Sequence, residues 1–384
     1  MLSIKDIQIP EEPLKEFKHI ILTGKNGSGK TTILKRIALI INEASEGKSR
    51  ERAVSRLRSV VEVNKTHSSR STWEKQIIEL SGIDLRFSSD IVRLSLEKES
   101  NDPYIFSFFK AHRKVLLSEV TTVTTEENFT KVLNKKNDQE DFTKLFKQYL
   151  VNKKVYEAFD YMNDTKNNRS QEFFNNLTIS LRNIFSDQKL ELEFKQESFE
   201  FYIVLGDQRK ITFNNLSEGF SAFLSVIMDL LIRTDLIQKL KNDYTYQPEG
   251  IVLIDEPETH LHLSMQYDIL PLISKLFPKV QLIIATHSPA IISSLENSIV
   301  YDLSSKSMIQ DKVLGSSFSE LMVTHFGLDN EYSPIADKIL EDVNNAAKSS
   351  NVKLLHSILS KNEKFITPVL RLDIESLIIK LSNK

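Results

Sequence analysis

The sequence predicts an α/β fold built on a parallel sheet, and three patterns in the chain support that prediction. Residues 251–254 and 282–285 are continuous apolar runs bounded by loops, which is typical of central strands covered on both faces. A third apolar run, residues 20–22, leads through a glycine-rich turn into a helical pattern over residues 31–41. Strand, loop and helix in that order are what a phosphate-binding loop requires.

Composition is that of a globular protein with a sizeable core, because 40% of the 384 residues are hydrophobic and 27% are charged. Lys and Arg number 50 and Asp and Glu 52, so the formal net charge is -2. A chain without a global basic field does not hold nucleic acid unspecifically, and any such contact would have to be local.

Two features that the sequence lacks narrow the class of protein further. The chain has no cysteine, which excludes disulfides, thiolate metal sites and cysteine nucleophiles and fits a reducing cytoplasm. No run approaches the ~18 apolar residues of a spanning helix, and the first residues lack a signal-peptide pattern. We therefore expect a cytoplasmic protein without membrane contact.

The glycine-rich turn reads Gly24-Lys25-Asn26-Gly27-Ser28-Gly29-Lys30-Thr31, which fits the Walker A pattern throughout. Its glycines let backbone amides turn towards phosphates, and the following helix N-terminus favours an anion. We expect Lys30 to reach the β and γ phosphates of ATP and the Thr31 hydroxyl to bind Mg²⁺. The predicted nucleotide-binding residues of this segment are Gly24, Asn26, Gly27, Ser28, Gly29, Lys30, Thr31 and Thr32.

Downstream, the apolar run 251–254 ends in Asp255 and Glu256, which is the Walker B form. Asp255 is expected to hold Mg²⁺, directly or through water. Glu256 is expected to polarise the attacking water as a general base. An apolar strand ending in two acids is common by itself, but after a Walker A sequence it indicates an ATPase.

Two further segments suggest the ABC subclass. Leu216-Ser217-Glu218-Gly219-Phe220 resembles the ABC signature, in which a serine hydroxyl and a glycine amide bind the γ phosphate held by the opposite subunit. Ser217 could instead be a plain helix N-cap. In Ala285-Thr286-His287-Ser288-Pro289, His287 occupies the switch position that contacts the γ phosphate, although a lone histidine at a strand end is often structural.

The order of the four motifs predicts a P-loop NTPase of the ABC type with an inserted helical lobe and a C-terminal helical extension. Asp255-Glu256-Pro257-Glu258-Thr259-His260-Leu261-His262, with the switch segment, resembles the ABC-type AAA ATPases of prokaryotic antiphage defence systems. The head is also similar to the overcoming-lysogenization-defect group. The overall layout resembles the ATPase subunits of Septu, PARIS and retron-linked systems.

This resemblance implies a Mg²⁺-dependent ATPase that controls a separate effector, such as a nuclease, in an antiviral complex. It also implies a homodimer, or a higher homo-oligomer, formed through heads that sandwich ATP between Lys30 of one copy and Ser217 and Gly219 of the other. His260 and His262 are expected in a dimer-contact loop, with a metal pair as the alternative.

Two other functions compete with this one. A DNA-repair or chromosome-maintenance ATPase that clamps DNA is the main alternative, but no heptad pattern for coiled-coil arms persists. A nucleotide-binding subunit of a membrane transporter is the other, and the 255–262 segment is unlike a transporter's. Neighbouring genes would discriminate among the three.

For domain organisation, we expect an ATPase head over residues 1–305, with the helical lobe inserted at about residues 46–189. A C-terminal helical extension is expected over residues 306–384. That extension has no Asp-x-Asp pair, so a fused nuclease of the kind in the lysogenization-defect group is not expected.

Overall fold

The structure is a computed structural model of the chain, and its residues fall into two compact units, Met1–Ser316 and Ser317–Lys384. The residues it describes are 17–45, 58–63, 69, 71–73, 103–111, 117–125, 129, 139–162, 169–309, 334–349, 351–362, 366 and 368–382. Much of the predicted insertion at 46–189, and residues 310–333 of the predicted extension, lie outside the described residues.

Nine strands are present among the described residues, and they form two sheets. The strands are β1 His19–Thr23, β2 Ile105–Phe109, β3 Glu191–Lys195, β4 Glu200–Val204, β5 Lys210–Thr212, β6 Gly250–Asp255, β7 Val280–Ala285, β8 Ser298–Asp302 and β9 Ser307–Ile309. The larger sheet has the order β2-β6-β7-β1-β8-β9 and is parallel except for β9, which pairs antiparallel with β8. The α/β prediction is confirmed.

Helices flank and follow these strands, and in the described part of the chain none is long and apolar enough to cross a membrane. The first unit contains α1 Lys30–Ser45, α2 Gln139–Met162, α3 Arg169–Phe185, α4 Glu218–Lys241, α5 Leu263–Leu276 and the single turn α6 Pro289–Ile292. The second contains α7 Pro334–Lys348, α8 Val352–Lys361 and α9 Pro368–Ser382.

The core of the parallel sheet is covered by α1. Ile33, Ile37 and Ile41 repeat at helical spacing and belong to one buried cluster with Leu253 and Ile283 of the central strands. Register pairs Ala285 with both Leu22 and Asp255, so the ends of β1, β6 and β7 lie side by side. The loops that leave these three strands therefore meet at one edge of the sheet, where α/β proteins bind their ligands.

β2 is a strand, as the apolar pattern of residues 104–109 predicts, and it belongs to the parallel sheet. It lies inside the stretch 46–189 that was expected to be an inserted lobe, yet it pairs with β6 along its whole length. Buried polar contacts hold it to α4, because Ser107 Oγ donates to Asp229 Oδ2 at 2.6 Å and Arg233 Nε donates to the same oxygen at 2.8 Å. The parallel sheet therefore includes a strand from within the range 46–189.

Apolar and polar residues alternate at positions 190–205 in the sequence, which predicts an antiparallel meander, and the smaller sheet confirms it. β3, β4 and β5 pair antiparallel in sequence order, and the short turn Phe213–Asn215 leads from them towards α4. α4 is buried on all sides over most of its length, which explains why apolar residues occur on all of its faces. It packs against α2, α3 and β2, so the signature segment at its start is carried by a central helix.

A buried histidine anchors the start of β1. His19 Nδ1 accepts a hydrogen bond from Leu282 N at 3.0 Å, and its Nε2 lies 3.1 Å from Ser274 Oγ. Burial lowers the pKa of His19 to about 4, so the ring is neutral at physiological pH. This histidine ties β1 to β7 and α5 and has a structural role.

The second compact unit has its own small core. Ile339, Val343 and Ala346 of α7 pack with Leu355 of α8 and with residues of α9, chiefly Ile374. The helical character expected for this region is present in α7, α8 and α9. The head boundary expected at residue 305 precedes β9, which pairs with β8, and the position of that boundary stays a prediction.

Candidate nucleotide-binding site

The Walker A loop has a backbone that requires its glycines. Gly24, Gly27 and Gly29 have φ values of +133°, +81° and +97°, in a region that L-residues with side chains rarely adopt. A Cβ on Gly24 would also lie 2.8 Å from Ser304 Oγ. Asn26, Gly27 and Thr32, three of the predicted binding residues, are exposed to solvent.

Lys30 is buried beneath this loop. Its Nζ donates to the carbonyl oxygens of Gly24 at 2.8 Å and Lys25 at 3.2 Å, and the residue is 6% exposed. Burial lowers the pKa of Lys30, while the carboxylates of Glu256, Glu258, Asp255 and Asp302 oppose that shift. The ammonium group therefore lies at the centre of the Walker A loop and within the field of the Walker B acids.

The two predicted metal ligands meet across the strand ends. Thr31 Oγ1 donates to Asp255 Oδ1 at 3.1 Å, although the residues are 224 positions apart in sequence. A hydroxyl and a carboxylate are oxygen ligands of the kind that Mg²⁺ prefers, and Mg²⁺ in nucleotide sites usually takes only one or two carboxylates. The part of the chain described contains no cluster of three or more His, Cys, Asp or Glu that could hold a metal. The Thr31 hydroxyl and the Asp255 carboxylate are oxygen ligands that fit Mg²⁺ shared with phosphate and water.

Glu256 leaves the end of β6 in a strained conformation. Its φ of +47° is in the left-handed region, which costs a non-glycine residue about 1 kcal/mol or more. The turn is held because Glu256 N donates to Ala285 O at 2.8 Å, while Thr259 Oγ1 donates to Glu256 O at 3.0 Å. The fold thus brings the Walker B loop against the end of β7, where the switch segment begins.

His287 of the switch segment shares an electrostatic environment with Lys30 and Glu256. Burial lowers its pKa, the Lys30 ammonium lowers it further, and the Glu256 carboxylate opposes both. The imidazole is therefore predominantly neutral at pH 7, when it can donate one hydrogen bond and accept another.

Two supports of this site were not identified from the sequence. Glu258 Oε1 accepts from Thr286 Oγ1 and from His287 N, each at 2.7 Å. Beneath the Walker A loop, Lys25 N donates to Ser304 Oγ at 2.7 Å, and Ser304 N donates to Asp302 Oδ1 at 2.8 Å. No local sequence signal points to Ser304, whereas Glu258 lies within the motif on which the family resemblance was based.

The signature segment meets the Walker B loop through Gly219, whereas Ser217 is solvent-exposed. Ser217 is exposed and precedes α4 without a side-chain capping bond, so it does not satisfy the N-cap alternative. Gly219 is buried against the Walker B loop, where an added Cβ would lie 2.2 Å from His260 O and 3.2 Å from Leu261 Cδ2. The described contacts thus join the Walker A, Walker B and switch residues and leave Ser217 apart from them.

We expect Gly219→Ala to destabilise the fold by about 2 kcal/mol, because the new methyl group would push against a backbone carbonyl that has little freedom to move. Chemical unfolding of this variant would measure the loss, with Ser217→Ala as the matched control because the exposed Ser217 side chain makes no capping bond. Unchanged stability of the alanine variant would contradict the close approach of α4 to His260.

The two histidines after Walker B have local partners. His262 caps α5, accepting from Ser264 N, and its Nδ1 lies 3.0 Å from Ser264 Oγ. His260 has a φ of +63°, and its Nε2 lies 3.7 Å from Glu218 Oε2 at the start of α4. Each ring thus has a protein partner close by.

Comparison with known proteins gives a family match over most of the chain. The family described as "AAA domain, putative AbiEii toxin, Type IV TA system" matches residues 20–293. The "Septu protein PtuA" of Bacillus thuringiensis is 21% identical over 373 residues, covering 91% of this chain and 88% of that protein. The "Retron Ec83 probable ATPase" of Escherichia coli is 27% identical over 239 residues, covering 60% of this chain.

The extent of these similarities differs among the relatives. The chain spans most of the Septu protein's length but only 37% of the Escherichia coli retron ATPase, and 39% of the "Retron Vc95 probable ATPase" of Vibrio cholerae. Among solved structures, an Smc head bound to the C-winged helix domain of ScpA aligns over 74% of this chain and 86% of that chain, with 13% identity and a TM-score of 0.35. A similarity that low supports no argument about function.

Proposed function

Since this chain belongs to the family described as "AAA domain, putative AbiEii toxin, Type IV TA system", we propose that it binds ATP with Mg²⁺ and controls a separate effector in an antiphage complex. The chain is an ABC-type AAA ATPase of the defence-system kind. The observation that carries the proposal for ATP and Mg²⁺ is the contact of Thr31 with Asp255, beside Lys30, at the ends of β1 and β6.

Each residue of this cluster has a proposed role. Lys30 binds the β and γ phosphates with its ammonium group, and the Walker A amides bind the remaining phosphate oxygens. Thr31 and Asp255 would hold Mg²⁺, which would supply positive charge beside the phosphates. Glu256 takes a proton from the attacking water, and neutral His287 donates a hydrogen bond to the γ phosphate.

The site of one chain is completed by a second copy in this proposal. Ser217 is exposed at the start of α4 and has no contact with the Walker A loop of its own chain among the described residues. An exposed hydroxyl and helix N-terminus next to the Walker B loop can bind the γ phosphate held by another subunit. Gly219 is then needed for packing against His260, in addition to the amide contact that the signature pattern predicts.

Control of a separate effector is the finer part of the proposal. The similarity to a Septu protein along nearly the whole chain supports it. A head that dimerises with ATP offers two states, and a ligand that binds one state better shifts the population towards it. Any effector that prefers one state is thereby held or released according to the nucleotide.

We expect the protein to co-purify with the product of a neighbouring gene, and the amount retained to differ at least about threefold between ATP and no nucleotide. The ATP dependence should disappear in Lys30→Ala, because that variant does not bind ATP tightly. Co-purification followed by quantitative gel analysis measures this effect. A partner retained equally with and without ATP would contradict the proposed control, and a repair protein or a permease as the partner would support one of the competing functions.

A further inference from the structure

The Glu258 side chain is hydrogen-bonded to the switch segment. One carboxylate oxygen accepts from the Thr286 hydroxyl and from the His287 amide, at 2.7 Å each. These partners lie 28 and 29 positions away in sequence, on the far side of α5. The residue therefore links two loops that leave neighbouring strands of the parallel sheet.

This link joins the loop of Glu256, the proposed base, to the loop of His287, the proposed γ-phosphate contact. Glu256, two positions before Glu258, is itself bonded through its amide to Ala285 O at 2.8 Å. Three consecutive residues of the switch segment, Ala285, Thr286 and His287, are thus bonded to the Walker B loop. Two of these three bonds end on the Glu258 side chain.

Thr286 N donates to Leu22 O at 3.0 Å independently of Glu258, but the Thr286 hydroxyl continues the bonding that starts at the Glu258 side chain. Thr286 Oγ1, oriented by its bond to Glu258, accepts from Ser288 N at 2.9 Å. Ser288 Oγ in turn donates to Gln266 Oε1 of α5 at 2.6 Å. Because Thr286 is fully buried, loss of Glu258 would leave its hydroxyl proton without that acceptor, although Oγ1 would still accept from Ser288 N.

We propose that Glu258 is a positioning residue that holds the backbone of His287 at a fixed distance from Glu256. This inference rests on the ATPase function proposed above and deepens it. Burial raises the pKa of Glu258, while its hydrogen bonds with His287 N and Thr286 Oγ1 oppose that shift. Hydrolysis requires the water-activating base and the γ-phosphate contact to be aligned, and small misplacements of such groups lower turnover strongly.

The test compares two substitutions of Glu258. In Glu258→Ala we expect the kcat for ATP hydrolysis to fall about 10- to 100-fold while the affinity for ATP changes less than about threefold. Glu258→Gln keeps an acceptor oxygen at Oε1 and is expected to recover kcat to within about fivefold of the original. It should not recover fully, because its amide would occupy the place of Oε2, which is buried with no hydrogen-bond partner among the described residues.

Controls separate positioning from loss of folding. Glu296→Ala removes an exposed glutamate and should leave both kcat and stability unchanged. Thr286→Val removes one of the two bonds and should lower kcat to an intermediate value; it supplies the same comparison if Glu258→Ala does not fold. Combined with Glu258→Ala, it should add little, because both changes break the same contact.

A structural readout makes the outcome independent of hydrolysis. The imidazole NMR signal of His287, identified by its loss in His287→Gln, should shift or broaden in Glu258→Ala and stay in place in Glu258→Gln. An unchanged signal and unchanged kcat in Glu258→Ala would overturn the proposal, and so would equal impairment of the glutamine and alanine variants. If the original chain hydrolyses no ATP, the proposed function fails, while the His287 signal still decides the role of Glu258.

Discussion

Lys30→Ala should weaken ATP binding by about 100-fold or more, whereas Glu256→Gln should keep ATP affinity within about threefold and lower kcat by about 10²- to 10⁴-fold. The first change removes a buried ammonium group that has no substitute in the Walker A loop. The second keeps the shape of the side chain but removes the base. Calorimetric ATP titration and phosphate release would measure the two effects.

Lys25→Ala is the matched control for the lysine variant. Lys25 is in the same loop, but it is exposed, and its hydrogen bonds within the described residues are made by its backbone, to Ser304 Oγ and Lys30 Nζ. Its substitution should therefore change ATP affinity far less than that of Lys30. An equal loss of ATP affinity in Lys30→Ala and Glu256→Gln would contradict the assigned roles.

The second expected result concerns assembly. ATP should promote a head-to-tail dimer in the Glu256→Gln background, where the nucleotide sandwich is not dissolved by hydrolysis. Ser217→Arg should prevent that dimer, because it places bulk at an exposed position that we assign to the γ phosphate of the other subunit. Light scattering with and without ATP and Mg²⁺ would detect the change in mass.

Mixing two inactive variants tests whether the sites are shared. Ser217→Arg chains and Lys30→Ala chains should each lose at least about 99% of the ATPase activity as homodimers, since both sites are then defective. In a hybrid, both defects fall in one composite site and the other is intact. Mixing should therefore restore hydrolysis, up to about half of the original rate per hybrid if the sites act independently. Proven hybrids without activity would rule out the shared-site arrangement or the independence of its sites.

The fold could be predicted from the sequence where the pattern is local. Apolar runs at residues 251–254 and 282–285 gave strands β6 and β7, and the alternation at residues 190–205 gave the meander of β3 and β4. β2 was less predictable. Its strand character is visible in Ile105–Phe109, but its place beside β6 depends on pairing with a strand about 145 residues later.

The site also has features that local sequence predicts and features that it does not. The Walker A glycines could be assigned because a phosphate-binding turn demands positive φ, and the structure has positive φ at Gly24, Gly27 and Gly29. Thr31 and Asp255 were expected to share a ligand, and they are in contact. Glu258 belongs to the motif that follows Walker B, but its bonds to Thr286 and His287 could not be predicted from the sequence.

By itself, the sequence determined which residues carry charge and which turns need glycine. It also determined where apolar residues alternate with polar ones or recur at helical spacing. These properties depend on each residue and its near neighbours along the chain. Only the tertiary structure decided that Ser304 holds the Walker A loop, that Gly219 packs on His260, and that Glu258 bonds the switch. Such contacts join residues from 28 to 279 positions apart, and they exist only because the sheet brings the ends of its strands together.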